Sequence, residues 1–179
     1  MMNDIGAQDC YAELATLLSH PQDDYDATVD SLIGVFNTQK AGKLLREFRA
    51  AMAGLSATER QELYARTFDL NPLCSPALSV HLFGIESFKR SHLMVGLLDM
   101  YRTAAFPCDG EAADHMSTLV RFLPWAAPDE RDELMHYVLL PGLEKIAAFL
   151  ATKANPFSLL IVAAQAVITA TAGKEARCA

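Results

Sequence analysis

The stretch NPFSLLIVAAQAVITATA, Asn155 to Ala172, decides what kind of helical protein this is. Asn155-Pro156 opens a helix, because proline suits a first helical turn and ends whatever precedes it. From Pro156 to Ala172 the pattern is apolar on nearly every side. A bilayer span needs about 20 predominantly apolar residues. This run is shorter, and Ser158, Gln165, Thr169 and Thr171 interrupt it. The pattern therefore predicts a central helix enclosed by others.

The rest of the chain supplies the enclosure. There are 28 Ala and 24 Leu against 14 Val plus Ile, which favours helices over strands. With 51% hydrophobic and 21% charged residues the chain is globular, not disordered. Its 179 residues fit one domain, 1–179. Working back from Asn155, Pro141-Gly142 separates a helix reaching about Lys153 from one that begins at Pro128. Further helices are expected over about Asp114–Trp125, Glu86–Ala105 and Ala77–Phe83, the last two divided by Gly84. Asn71-Pro72 and Ser75-Pro76 mark the loop before them. Ser56-Ala57-Thr58-Glu59 is a capping box for a helix over about Ala57–Phe68. Three more are expected over about Lys40–Ala53, Asp23–Asn37 and Gln8–Ser19, where Tyr11, Leu14, Leu17 and Leu18 form an apolar stripe. The expectation is an all-α, single-domain bundle of about nine to ten helices.

Charge excludes some functions. The net charge is −7 and the pI about 5.1, whereas nucleic-acid binders carry a basic face. An acidic chain suits a basic partner. Lys40, Lys43, Arg46 and Arg49 do recur every three residues, but opposite Leu44, Leu45 and Phe48 they read as a solvated face. Asp129 to Glu133 reads as a solvated first turn. Cys10, Cys74, Cys108 and Cys178 form no C-x-x-C pair, and Met1-Met2-Asn3-Asp4 has neither the basic nor the apolar region of a signal peptide. Reduced thiols in the cytoplasm follow.

Catalytic signatures are missing. The chain has no H-E-x-x-H, G-x-S-x-G, P-loop or G-x-G-x-x-G. Glu111, Asp114 and His115 stand close in sequence, yet too few ligands are local for a metal. On spacing, Asp114 reads foremost as a helix cap. Trp125, between two prolines, suits either core packing or a groove wall.

Four stretches together resemble the NarJ/TorD family of redox-enzyme maturation chaperones. They are Leu63-Tyr64-Ala65-Arg66-Thr67-Phe68-Asp69-Leu70, His81-Leu82-Phe83-Gly84 with Lys89-Arg90, Glu111-Ala112-Ala113-Asp114-His115, and Asn155-Pro156-Phe157. The first two are similar to the NarJ branch. The family's proline in the third stretch is alanine here, at Ala112 or Ala113, and its glycine after Arg90 is Ser91.

The resemblance implies an all-helical cytoplasmic chaperone that is not an enzyme and holds no cofactor. Its partner would be the catalytic (alpha) subunit of respiratory nitrate reductase. The chaperone would bind that subunit's N-terminal leader and hold it for molybdenum cofactor insertion before membrane attachment. A dimethyl sulfoxide reductase-like, selenate or hydrocarbon dehydrogenase client is the alternative, followed by a small helical hydrolase or ligand-binding module. Carried onto matching positions, Glu111, Asp114 and His115 belong to the peptide-binding region, with Tyr64, Phe68 and Asp69 near it. Phe68, Leu82 and Phe83 would line an apolar groove, while Glu111 and Asp114 would meet the leader's cations. A homodimer is compatible with such a fold.

Overall fold

The computed structural model describes residues 6–69, 72–108 and 110–178, the side chains of 174–178 apart. The readings at Met1–Asp4, Leu70 and Asn71, and the thiol of Cys178, lie outside the described residues. Ten α-helices follow one another among the described residues: α1 (Ala7–Leu17), α2 (Tyr25–Val35), α3 (Lys40–Met52), α4 (Ala57–Tyr64), α5 (Leu78–Phe83), α6 (Phe88–Thr103), α7 (Met116–Phe122), α8 (Pro128–Leu134), α9 (Leu140–Thr152) and α10 (Phe157–Cys178). No strand occurs among them, only an isolated bridge between Ala77 and His115.

α10 is the expected central helix. It packs against α3 on one side and α9 on another, with α1 across it. Leu160, Ile161, Ala164, Val167 and Ile168 are all buried. Two of the polar residues that interrupt the run find partners: Gln165 Nε2 donates to the Leu140 carbonyl at 3.2 Å, and Thr169 Oγ1 to the Gln165 carbonyl at 2.8 Å, whereas the buried Thr171 hydroxyl has none among the described residues. Phe157 anchors the start of α10 among Phe48, Tyr64 and Phe68, with ring centroids 6.0, 5.7 and 5.4 Å away. Each such ring pair is worth about 0.5–1.5 kcal/mol beyond the area it buries.

Local signals set the helix ends. The capping box at α4 is formed as the sequence predicts: Ser56 N–H donates to Glu59 Oε2 at 2.8 Å and Glu59 N–H to Ser56 Oγ at 3.3 Å. The basic residues of α3 are solvated and partly paired. Arg46 holds Asn37, Arg49 reaches Asp26 and Asp30, and Lys43 meets Glu47.

Three expectations need correcting. Pro141-Gly142 does not divide two helices; Pro128–Thr152 runs as one helix of 25 residues. A proline clashes with the carbonyl four residues back and cannot donate to it. Here that carbonyl belongs to Tyr137, inside a π-helical turn over Met135–Leu139, where Leu140 N–H instead reaches the Met135 carbonyl. The wider turn takes up the misfit. Among the described residues this helix is long and apolar enough to cross a bilayer by length and composition, yet half of its most apolar window is buried within the fold. Its inner face, Leu139, Leu143, Ile146 and Leu150, belongs to the core. Second, the helix expected over Ala57–Phe68 becomes π-helical at Ala65–Asp69. Third, the helix expected from Asp114 begins at Met116, and Pro124 tightens its end into a 3-10 turn over Leu123–Trp125.

Two close approaches depend on glycine. A Cβ on Gly142 would stand 2.9 Å from Leu78 Cδ2 and 3.0 Å from Leu78 Cβ, so its absence lets α5 sit directly on α9. A Cβ on Gly42 would stand 2.2 Å from the Phe36 carbonyl oxygen, where the turn after α2 crosses the first turn of α3.

Candidate functional site

Two loops from distant parts of the sequence are tied together. Leu78 N–H donates to the Asp114 carbonyl at 2.9 Å, and Met116 N–H to the Pro76 carbonyl at 3.0 Å. The tie is reinforced by side chains. Ser79 donates its hydroxyl to Asp114 Oδ2 and accepts from Arg90 Nε at 2.9 Å. Arg90 Nη2 also lies 3.9 Å from Asp114 Oδ2. Asp114 and Ser79 have no exposed surface. A buried carboxylate is tolerated only when it is paired, and this triad provides the pairing for one oxygen. The other, Oδ1, has no hydrogen-bond partner. Tyr101 adds a bond from its hydroxyl to the Ala113 carbonyl at 2.6 Å.

The flanks of the loops are fixed in the same way. His81 Nε2 faces the Ser75 carbonyl at 2.7 Å, so that nitrogen carries a proton. Burial pushes the neighbouring Cys74 thiol up to about 11, which leaves it protonated and unreactive at neutral pH. Thr67 donates to the Leu63 carbonyl at 2.7 Å and accepts from Asn155 Nδ2 at 2.9 Å. Asn155 Oδ1 in turn accepts the Phe157 N–H at 3.0 Å and so starts α10.

At the surface end of this arrangement stands Glu111. Its Oε2 accepts from Ser117 Oγ at 2.5 Å and lies 2.9 Å from His115 Nδ1. The His115 bond, with help from Ser117, holds the Glu111 carboxyl below its usual range, against partial burial. His115 Nδ1 also faces Ser117 Oγ at 2.8 Å and the Ser117 N–H at 3.2 Å. A lone pair on Nδ1 accepts that N–H and caps α7; a proton on Nδ1 bonds Glu111 instead. Cap duty thus belongs to His115 and not, as spacing suggests, to Asp114, whose side chain turns inward to Ser79.

Glu111 and Ser117 form one wall of a cleft of about 420 Å³ between α1 and α7, with Ala12, Ala15, His20 and Arg121 among its other lining residues. A second hollow of about 550 Å³ shares Ala12 and Arg121 and extends to Asp9 and Trp125. Trp125 is therefore a groove wall, and it also packs on Phe106, with ring centroids 5.7 Å apart. The Tyr64 hydroxyl is pushed up by burial and then by the charges of Asp69 and Glu111.

The residues carried over from the resemblance divide into two groups. Glu111, Asp69 and Phe83 are exposed, and Leu82 is half-buried. Tyr64, Phe68, Asp114 and His115 are buried. Phe68 offers no groove wall, since its ring is enclosed by Tyr64 and Phe157. Asp114 presents no oxygen to solvent and is committed to Ser79. Sequence reasoning missed Ser79, Ser117, His20 and Arg121. Ser117 carries a usable signal, being two residues beyond a helix-capping side chain; the others are joined only by the tertiary fold. Among the described residues no group of three or more His, Cys, Asp or Glu side chains converges to hold a metal.

No curated protein matches the chain significantly. A family model described as nitrate reductase delta subunit matches residues 37–162. That span contains all four quoted stretches and both tied loops. It also exceeds half of the chain. The protein therefore belongs to the nitrate reductase delta subunit family.

Proposed function

We propose that this protein is a nitrate reductase assembly chaperone that binds the N-terminal leader of the catalytic subunit through the surface around Glu111 and Asp69. The family supplies the client. The observation that carries the site is the Glu111 carboxylate on the wall of the α1–α7 cleft, held ionised by His115 and Ser117, with Asp69 exposed at the end of the α4 segment. An amphipathic, Arg-bearing leader would place its cations on Glu111 and Asp69, as charge-assisted bonds. Phe83 and Leu82 offer apolar contact on α5. Asp114, Arg90 and Ser79 hold the loops in register beneath, without touching the leader. The bound subunit then waits in the cytoplasm for its molybdenum cofactor before membrane attachment. The chaperone itself performs no chemistry.

Calorimetric titration with a synthetic leader peptide of the cognate catalytic subunit tests this. Glu111→Gln and Asp69→Asn are expected each to weaken binding by about 5- to 30-fold, as loss of a charge-assisted bond implies. Unchanged affinity in both variants would remove this surface from the reading.

A further inference from the structure

One cation beside the leader site is held in place but not used by the fold. Arg121, on α7, is exposed and has no hydrogen bond or ion pair among the described residues. Its guanidinium lies over Phe106, 5.5 Å from the ring centroid. The same ring packs on Trp125, 5.7 Å away. An arginine stacked on an aromatic face keeps its in-plane N–H donors for another group.

Arg121 stands where two hollows meet. The cleft of about 420 Å³ that reaches Glu111 and the hollow of about 550 Å³ that reaches Asp9 and Trp125 share Ala12 and Arg121. They form one trough beside α1, whose part of the lining runs from Gln8 to Thr16. That is a rise of about 12 Å, or about two turns of helix. Ala12 and Ala15 let another helix approach closely there.

Charge alternates along the trough: negative at Glu111, positive at Arg121, negative at Asp9. The steps are short. Ser117, which holds Glu111, is one turn from Arg121 on α7, and Ala12, which Arg121 faces across the trough, is one turn from Asp9 on α1. A uniformly basic segment would set a cation against Arg121, and an acidic one would meet Glu111 and Asp9. A helix with a carboxylate between two cations, each about one turn away, meets all three with the opposite sign. We propose that the leader lies along this trough as a helix and that Arg121 is a specificity-determining residue, selecting leaders that carry a carboxylate one turn from the cation bound by Glu111. A second leader cation, one further turn along, falls at Asp9, and Trp125 covers an apolar side chain at that end. The proposal rests on the leader reading and adds to it the pattern of signs the leader must carry.

The test is calorimetric titration of the full chain with the cognate leader peptide and with the same peptide whose acidic residue is made an amide. Wild type should favour the acidic peptide by about tenfold, as one charge-assisted bond implies. Arg121→Gln should erase that preference and Arg121→Lys keep part of it. Arg121→Glu should prefer a peptide with lysine at that position. The side chain is exposed, so all three variants should keep the thermal transition of the wild type. Trp125 is the only tryptophan, and its emission should shift as the leader fills the second hollow. A preference that survives Arg121→Gln, a cognate leader with no Asp or Glu within a turn of its cations, or a bound leader that leaves Trp125 emission unchanged would overturn the assignment. Glu111→Gln separates this from the leader reading. If it weakens binding while Arg121→Gln alters no preference, the leader site stands and the selection alone falls. If the leader does not bind, or Glu111→Gln and Asp69→Asn are both silent, the site reading fails and the selection fails with it.

Discussion

Asn155 Nδ2 donates to Thr67 Oγ1 at 2.9 Å, across 88 residues of sequence. The bond joins the π-helical end of the α4 segment to the first turn of α10, inside the cluster of Tyr64, Phe68 and Phe157. The residues that mark the family most visibly here are thus fasteners of the fold. Thr67→Val keeps the shape and leaves the Asn155 amide unpaired in the interior. It is expected to cost about 1–3 kcal/mol in denaturant unfolding, with leader affinity of the folded protein unchanged. A variant as stable as wild type would contradict the role assigned to this bond.

Arg90→Met removes the only cation close to buried Asp114 among the described residues. The arginine is 30% exposed, so the loss is less than for a fully buried pair, about 1.5–3 kcal/mol. Asp114→Asn in the Arg90→Met background should recover part of it, because the charge that needed pairing is gone. Chemical denaturation of the three variants measures both effects.

Glu111 should titrate below an ordinary glutamate, and His115→Ala should return it toward the usual range, since the His115 bond is the largest cause. The sign follows from linkage: a carboxyl depressed in the folded state contributes stability above its unfolded pKa and loses it as pH falls through the folded one. Leader binding through this carboxylate should follow the same course, holding at neutral pH and fading only on strong acidification. Carbon-detected NMR titration of the side-chain carboxyl in both proteins reads the shift directly.

Ala for Gly usually stabilises a helix by about 1 kcal/mol. Gly42→Ala and Gly142→Ala should both do the reverse, in unequal measure. The added methyl at Gly142 meets the buried Leu78 side chain at 2.9–3.3 Å, whereas at Gly42 it meets the backbone of Phe36 at 2.2 Å. Gly42→Ala should therefore lower the melting temperature more. Combining Gly142→Ala with Leu78→Ala should cost less than the sum of the two, as expected for residues in contact.

Much of this fold is written in short-range chemistry. The central helix is legible because Asn155-Pro156 starts it and its apolar run, Pro156 to Ala172, stops short of a bilayer. The capping box at Ser56 is legible because both partners lie within four residues. What escaped reading depends on distant neighbours. Pro141 looks like a helix end until a π turn at Met135–Leu139 makes room for it. Asp114 looks like a cap until Ser79, 35 residues away, draws its carboxylate inward. Glu111 is legible as a candidate, but the hydroxyl of Ser117 that helps keep it charged becomes its partner only once α7 has formed.

The nitrogen shared between Glu111 and the Ser117 N–H couples the proposed leader site to the start of α7. His115 Nδ1 lies 2.9 Å from Glu111 Oε2 and 3.2 Å from the Ser117 backbone nitrogen, so the carboxylate and the helix start compete for one atom. A leader cation bound at Glu111 would draw the carboxylate from that atom and leave it to the first turn of α7. Occupancy and local order at Met116–Ser117 would then be linked through a single side chain. The amide of Ser117 should exchange with solvent more slowly in the loaded chaperone, a molecular record of whether its client is aboard.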